Sequence, residues 1–244
     1  MISEGKLSSL QLTGCLYACQ RHQIILANGS RAGYFIGDAA GVGKGRQISG
    51  IILDNYSRGR TKHIWFSIST DLIVDARRDL SDIGCHLKVI EGAQQLDRET
   101  KVFGLPKDFR DGIVFSTYAT LVSSVQRGSF VAGKQSRLQQ LVSWCGGADF
   151  EGCLIFDECH KAKNFDPRKE QNSSKVALAV TTLQRLLPKA RVVYCSATGV
   201  SDVKNMAFME RLGLWGQGAA FKNFEKFYDT IQSKGLGGHD LILS

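Results

Sequence analysis

Short apolar runs alternate with stretches of helical periodicity along most of this chain. Leu10, Leu16, Tyr17 and Ile24 recur at helical spacing and predict a helix over 7–27. Asn28-Gly29-Ser30 breaks it. Tyr34-Phe35-Ile36 predicts a short buried strand, 45–57 a helix, His63 to Ile68 a strand and 72–82 a helix. Further strands are expected at Leu87 to Ile90 and Gly112 to Ser116, and helices at 118–126 and 136–144. Cys153-Leu154-Ile155-Phe156 has no polar interruption, as a strand covered on both faces requires. A helix over 174–187 and a strand over Arg191 to Cys195 follow. Asp202 is placed to cap a helix bearing Met206, Met209 and Leu212, with the methionines as core filler. A last helix spans 221–233, ended by Gly235-Leu236-Gly237-Gly238. The alternation predicts an α/β fold in three layers, a mostly parallel central sheet flanked by helices. The polar segments 93–111 and 164–173 read as mobile insertions.

Three of the predicted strands end in residues that carry chemistry. Gly37 to Lys44 reads G-x-x-x-x-x-G-K between a strand and a helix. Glycines there let backbone N–H groups approach phosphate oxygens, and the helix N-terminus adds partial positive charge. Gly41, Val42, Gly43, Lys44, Gly45 and Arg46 are the candidate nucleotide-binding residues, with Lys44 reaching the outer phosphates. Gly45 stands where such loops usually place a Mg²⁺-binding Ser or Thr. Asp157 and Glu158 close the most apolar strand. Beside a phosphate loop, Asp157 is suited to hold Mg²⁺ and Glu158 to deprotonate the attacking water. His160 would link this site to the rest of the molecule. Ser196, Ala197 and Thr198 follow the last strand, where small hydroxyl residues can bond the acidic pair and report the γ-phosphate state. Any one of these three is weak evidence; their order together predicts a P-loop NTPase.

Composition narrows the setting. The 244 residues are 43% hydrophobic and 22% charged, which is globular rather than disordered. No apolar run reaches the roughly 18 residues of a membrane helix, so no membrane partner is expected. Met1-Ile2-Ser3-Glu4-Gly5-Lys6 has no hydrophobic signal character, and an intracellular protein is expected. The net charge of +8 fits a polyanionic partner. Seven cysteines show no CxxC spacing and read as buried, reduced thiols.

The order Gly-Lys loop, Asp157-Glu158-Cys159-His160, Ser196-Ala197-Thr198 resembles that of superfamily 2 helicases. More specifically, Leu7 to Gln11 with Tyr17 to Gln20, Gly41 to Arg46, Asp54-Asn55-Tyr56, Asp75 to Leu80, Asp157 to Asn164, Pro188 to Tyr194 and Arg211 to Gly216 resemble the strawberry notch family. The resemblance covers nearly the whole chain. It implies a RecA-like ATP-binding lobe over 31–216, preceded by an adenine-reading helix over 1–30 and followed by a helix and tail over 217–244. It implies ATP and Mg²⁺ as ligands and nucleic acid or chromatin as partner. By resemblance, transcription-factor or histone partners and a nuclear location are also expected. Gln11 or Gln20 would read the adenine, and Gln20 is preferred. Ser69-Thr70 and Ser116-Thr117 would hold nucleic-acid phosphates or simply cap helices. Arg77 and Arg78 are expected to be solvated. Gly45 fits the family, whereas Gln47 stands where a threonine is expected, which bears on metal binding.

No second RecA-like lobe and no later arginine motif follow Ser196 to Thr198 in this sequence. The expectation is therefore a helicase-like lobe that binds ATP weakly, turns it over slowly and does not unwind duplexes alone. The alternative is a nucleotide-binding scaffold that recruits transcription or chromatin partners.

Overall fold

A computed structural model describes residues 5–37, 41, 43–92, 110–123, 136–196 and 202–234. Six strands form one parallel sheet: β1 (Tyr34–Ile36), β2 (Lys62–Ser67), β3 (Val89–Glu91), β4 (Gly112–Thr117), β5 (Cys153–Phe156) and β6 (Arg191–Cys195). Their spatial order is β1-β6-β5-β2-β4-β3. The chain winds outward from β1 to β3 and returns through β4, β5 and β6. Because all pairings are parallel, every strand ends on the same edge.

The apolar runs are explained by cover on both faces. Cys153, Ile155, Trp65, Ile113, Phe115, Val193 and Cys195 point into one core, with α1 (Ser9–Arg21), α2 (Lys44–Ser57) and α3 (Leu72–Asp82) over them. Leu154, Phe156, Ile64, Phe66, Val114, Val192 and Tyr194 point into the other. That face is covered by α4 (Tyr118–Val122), α5 (Arg137–Cys145), α6 (Lys175–Leu186) and α7 (Phe224–Ser233). Alternation with period two thus assigns successive residues to opposite cores. The three-layer α/β expectation holds.

Several local expectations need correction. Leu10, Leu16 and Tyr17 are 58%, 61% and 59% exposed, and Ile24 lies beyond the helix and is also exposed. The buried side of α1 is Cys15 and Ala18. Helix α1 packs on α2 through small residues: a Cβ on Gly14 would strike Gln47 Oε1, and one on Gly50 would lie 2.7 Å from Cys15 Sγ. Close approach of backbones, not large side chains, makes this interface. Where an α-helix is expected directly after Asp202, there are two 3₁₀ turns, Val203–Met206 and Glu210–Leu212. Asp202 caps the first, accepting from Lys204 N–H, and Met206 and Met209 are buried as expected. Segment 164–173 is a cross-tied loop: Asp166 N–H donates to Ser173 Oγ at 2.8 Å, and Ser174 N–H to Asn164 O at 3.1 Å. Residues 93–109, the end of the helix expected at 118–126, and the glycines after 234 lie outside the described residues. All seven cysteines are free thiols, six of them buried.

Candidate functional site

Strand β6 lies between β1 and β5, so the loop after β1 and the turn after β5 face each other across two strand spacings, about 10 Å. The loop needs its glycines. Gly41 and Gly43 have φ of +90° and +78°, a region costly for any residue with a Cβ. Gly43 is the N-cap of α2 and offers no side chain to its first turn, leaving that end to an outside acceptor. Lys44 opens α2, half-buried. Its charge acts on the Cys195 thiol at the end of β6, and so does that of Asp157. The lysine and the acidic pair therefore converge on one strand end. Val42, Ala197 and Thr198 lie outside the described residues.

Asp157 is fixed on every side. Its N–H donates to Phe66 O at 2.9 Å. Its Oδ1 accepts from Glu158 N–H at 3.0 Å, and its Oδ2 accepts from Ser67 Oγ at 3.2 Å. Tyr118 Oη donates to its carbonyl at 2.7 Å. Burial first, then the neighbouring Glu158 charge, push the Asp157 carboxyl above its ordinary range, although the two hydrogen bonds oppose this. Glu158 sits at φ +49°, a left-handed conformation that costs a non-glycine residue about 1 kcal/mol. The turn aims its carboxylate at His160, whose Nδ1 lies 3.2 Å from Glu158 Oε2 and 3.3 Å from Ser196 Oγ. Glu158, His160 and Ser196 thus form one cluster joining the ends of β5 and β6.

The donor set suits a divalent cation. Both Asp157 oxygens keep lone pairs beyond the hydrogen bonds they accept, and Glu158 places a second carboxylate beside them in a partly buried turn. No group of three or more His, Cys, Asp or Glu able to hold a metal occurs among the described residues. Asp157 and Glu158 would fit the protein's share of a site in which one or two carboxylates and substrate phosphates hold the ion together.

Other expected site residues divide. Ser69 and Thr70 are half-buried at the start of α3 on the site edge, with Ser69 Oγ bonded to Asp71. Ser116 is 3% exposed, and Thr117 spends its hydroxyl capping α4 through Thr120 N–H. Gln20 is exposed near the far end of α1, about 13 Å along the helix from Gln11. Gln11, by contrast, lies against Gly43, where a Cβ would collide with its amide nitrogen. Arg46 pairs with Asp82 of α3 and so lies in the α2–α3 seam. Arg77 is not simply solvated: it donates to Val89 O at 2.8 Å. Gln47 is buried against Gly14 of α1. Sequence reasoning missed Ser67 and Tyr118, which touch Asp157, and Asp79, whose carboxylate fills the space a Cβ on Gly45 would need. Their only signal was adjacency: Ser67 precedes Ser69-Thr70 by two positions, and Tyr118 follows Thr117 directly.

The family model for P-loop containing NTP hydrolase pore-1 matches residues 1–243. The protein strawberry notch of Drosophila melanogaster is 48% identical over 243 residues, covering 99% of this chain and 14% of that protein. The protein FORGETTER 1 of Arabidopsis thaliana is 47% identical over 236 residues, covering 97% of this chain and 18% of its own length. Human strawberry notch homolog 1 is 46% identical over 242 residues, covering 99% and 17%. The chain thus spans less than one-fifth of these relatives. Among solved structures, the SWI2/SNF2 ATPase core of Sulfolobus solfataricus in complex with dsDNA aligns with a TM-score of 0.58 at 16% identity, covering 96% of this chain and 42% of that one. The DUF1998 helicase MrfA bound to DNA aligns with a TM-score of 0.53 at 15% identity, covering 84% and 26%. The chain shares the fold of part of these structures, and among the described residues no helix is long and apolar enough to cross a membrane. With its glycine loop, acidic turn and Ser196 gathered on one sheet edge, the chain belongs to the strawberry notch family of P-loop containing NTP hydrolases.

Proposed function

We propose that this chain is the ATP-binding and hydrolysing lobe of a nucleic-acid-dependent motor. One observation carries the reading: Lys44, Asp157, Glu158 and Ser196 all follow the carboxyl ends of three adjacent strands, β1, β5 and β6. Gly41, Gly43 and the uncapped start of α2 bind the phosphates, and Lys44 neutralises the outer ones. Gln11, which touches Gly43, is assigned to the base of the nucleotide in preference to Gln20. Asp157 would hold Mg²⁺, which when bound offsets charge on the phosphate oxygens. Glu158 orients the attacking water and takes its proton, and His160, itself against Ser196 Oγ, holds the Glu158 carboxylate in place. Ser69, whose Oγ also bonds Asp71, and Thr70, at the start of α3, are the hydroxyls assigned to a nucleic-acid phosphate, while Ser116 and Thr117 support that edge from beneath. The net charge of +8 and a structural neighbour solved with dsDNA support a nucleic-acid partner. A setting in nuclear transcription or chromatin, with transcription-factor or histone partners, is part of the same proposal.

A second reading is a nucleotide-binding scaffold without productive turnover. Gly45 favours it, because the residue after Lys44 supplies no hydroxyl for a metal. ATP turnover with and without DNA, beside Lys44→Ala and Glu158→Gln, separates the two. DNA-stimulated turnover that both substitutions abolish is the expected result. ATP binding without turnover, weakened only by Lys44→Ala, would establish the scaffold instead.

A further inference from the structure

Two side chains of β2 stand beside the acidic turn, and only one of them bonds to it. Strands β2 and β5 pair with Trp65 opposite Ile155 and Phe66 opposite Phe156. The pairing runs one step further, because Asp157 N–H donates to Phe66 O at 2.9 Å. Alternation sends Phe66 and Phe156 into one core, and Trp65 and Ile155 into the other, beneath α1, α2 and α3. Ser67 and Asp157 come next on the Trp65 side, and there Ser67 Oγ donates to Asp157 Oδ2 at 3.2 Å. Trp65 is a second donor on that side. It is 2% exposed, and Phe115 of β4 packs against its ring, centroids 5.9 Å apart at 48°. Its indole N–H is buried and has no hydrogen-bond partner among the described residues. It nevertheless acts on the Asp157 carboxyl, favouring the charged form as Ser67 does. A buried donor left unsatisfied costs its full desolvation, so such a group calls for an acceptor in the protein's working state.

We propose that Trp65 is a positioning residue of the cation site: its indole N–H is the reserve donor that takes an Asp157 oxygen when that carboxylate turns to a nucleotide-bound Mg²⁺. The inference rests on the motor reading above and adds a residue to its metal site. Asp157 as it stands shares its two oxygens between Glu158 N–H and Ser67 Oγ. A carboxylate that gives a lone pair to a cation is kept ionised and oriented by donors on its other sides. Trp65 provides one of these from within the core. An indole is a donor only, so it attracts the oxygen and offers nothing to the ion itself. Packed against Phe115, the ring keeps that donor in place whether or not the site is loaded.

Binding reads this role without turnover. The affinity of a non-hydrolysable fluorescent ATP analogue is measured with Mg²⁺ and with EDTA, for wild type and Trp65→Phe, with thermal melts to confirm folding. Phenylalanine keeps an aromatic ring against Phe115 and removes the donor. In Trp65→Phe the affinity with Mg²⁺ should fall about tenfold, while the affinity in EDTA stays at the wild-type value. An equal loss in both conditions is a packing effect and would overturn the proposal, as would a variant that loses nothing. The indole N–H also has its own spectroscopic signature. The ¹H–¹⁵N resonance that Trp65→Phe removes identifies Trp65 among the three tryptophans. It should move downfield when Mg²⁺ and the analogue are added to wild type, and stay in place in Asp157→Ala. A resonance indifferent to loading, or one that still moves in Asp157→Ala, would sink the inference while leaving the motor reading intact. A wild type that fails to bind the analogue at all would remove the motor reading and this inference with it.

Discussion

Arg211 brings a guanidinium into a site where it is only 3% exposed and meets it with backbone carbonyls. Its nitrogens donate to Pro188 O at 2.7 Å, Leu187 O at 2.8 Å, Arg31 O at 3.2 Å and Ala190 O at 3.3 Å. Burial lowers its pKa to about 10, which still leaves it charged at neutral pH. Four carbonyls from the turn before β6 and the approach to β1 converge on this one side chain, and Pro188 O and Leu187 O also accept from backbone N–H groups. Its own N–H reaches Tyr194 Oη at 3.4 Å, and that hydroxyl in turn donates to Gln184 Oε1. The Arg211 to Gly216 stretch is therefore a structural pin on the edge opposite the nucleotide site. Arg211→Met is expected to lower unfolding free energy by about 3 kcal/mol, because several buried acceptors lose their donor at once. Arg211→Lys should recover only part, since one ammonium cannot replace a planar fork. Urea unfolding of the three proteins measures this, and a loss below about 0.5 kcal/mol in Arg211→Met would refute the pin. Nothing in the sequence announced it: an arginine in a mixed polar and apolar stretch scans as solvated, and its burial depends on turns over twenty residues away.

Helix α2 shows how one absent side chain sets the distance between elements. Gly45 has no Cβ, and the Asp79 carboxylate of α3 takes that space. Next to it Arg46 pairs with Asp82, and Asp79 lies near Arg78 at 3.5 Å. Gly45 is thus a packing requirement of the α2–α3 seam, besides being a departure from the usual phosphate loop. Gly45→Ser is expected to destabilise the fold by no more than about 1 kcal/mol, because the new Cβ must displace the Asp79 carboxylate while the gain in helix propensity over glycine offsets part of the cost. In an Asp79→Ala background the same substitution should cost far less, a coupling that a double-mutant cycle isolates. Additive effects of the two substitutions would show that the helices do not meet there. This seam, and that between α1 and α2, were illegible for one physical reason. Hydrophobic periodicity detects large side chains, whereas Gly14, Cys15, Gly45 and Gly50 make contact through smallness. The strands were legible for the opposite reason. Cover on both faces leaves no polar position in Cys153 to Phe156, so the sheet, and the three strand ends that carry the site, stood out in the residue order. Ser67 and Tyr118 were missed because their role exists only once β2, β4 and β5 lie side by side.

Across the whole molecule, the two edges of the sheet carry different burdens. The carboxyl edge holds the acidic turn and the phosphate loop; the amino edge holds buried histidines among arginines. His63, second residue of β2, accepts from Cys153 N–H at 3.0 Å through Nδ1. His22 lies against Val192 O, 3.0 Å from Nε2, which must therefore carry the proton. Burial, with Arg31 and Arg191 nearby, pulls His22 from 6.5 down to about 4, and burial pulls His63 to about 3. Both values are depressed on folding, so below pH 6.5 the unfolded chain takes up protons that the folded chain refuses. The stability they contribute is complete above pH 6.5 and is lost as pH falls toward 4, by about 1.4 kcal/mol per pH unit for each histidine. Asp157 and Asp79, whose pKa values are raised by burial, act in the opposite sense, favouring the folded chain as acid is added. The histidines should outweigh them near pH 6, where an ordinary histidine titrates and an ordinary carboxylate has already lost its proton. Urea midpoints measured from pH 7 to pH 5 should therefore fall steadily. His63→Asn keeps an acceptor for Cys153 N–H and removes one titrating ring, so its slope should be shallower by about one histidine's share. Asp157→Asn, at the other edge, should leave the fall at least as steep. If His63→Asn retains the full slope, the acid sensitivity arises elsewhere than at the amino edge of the sheet.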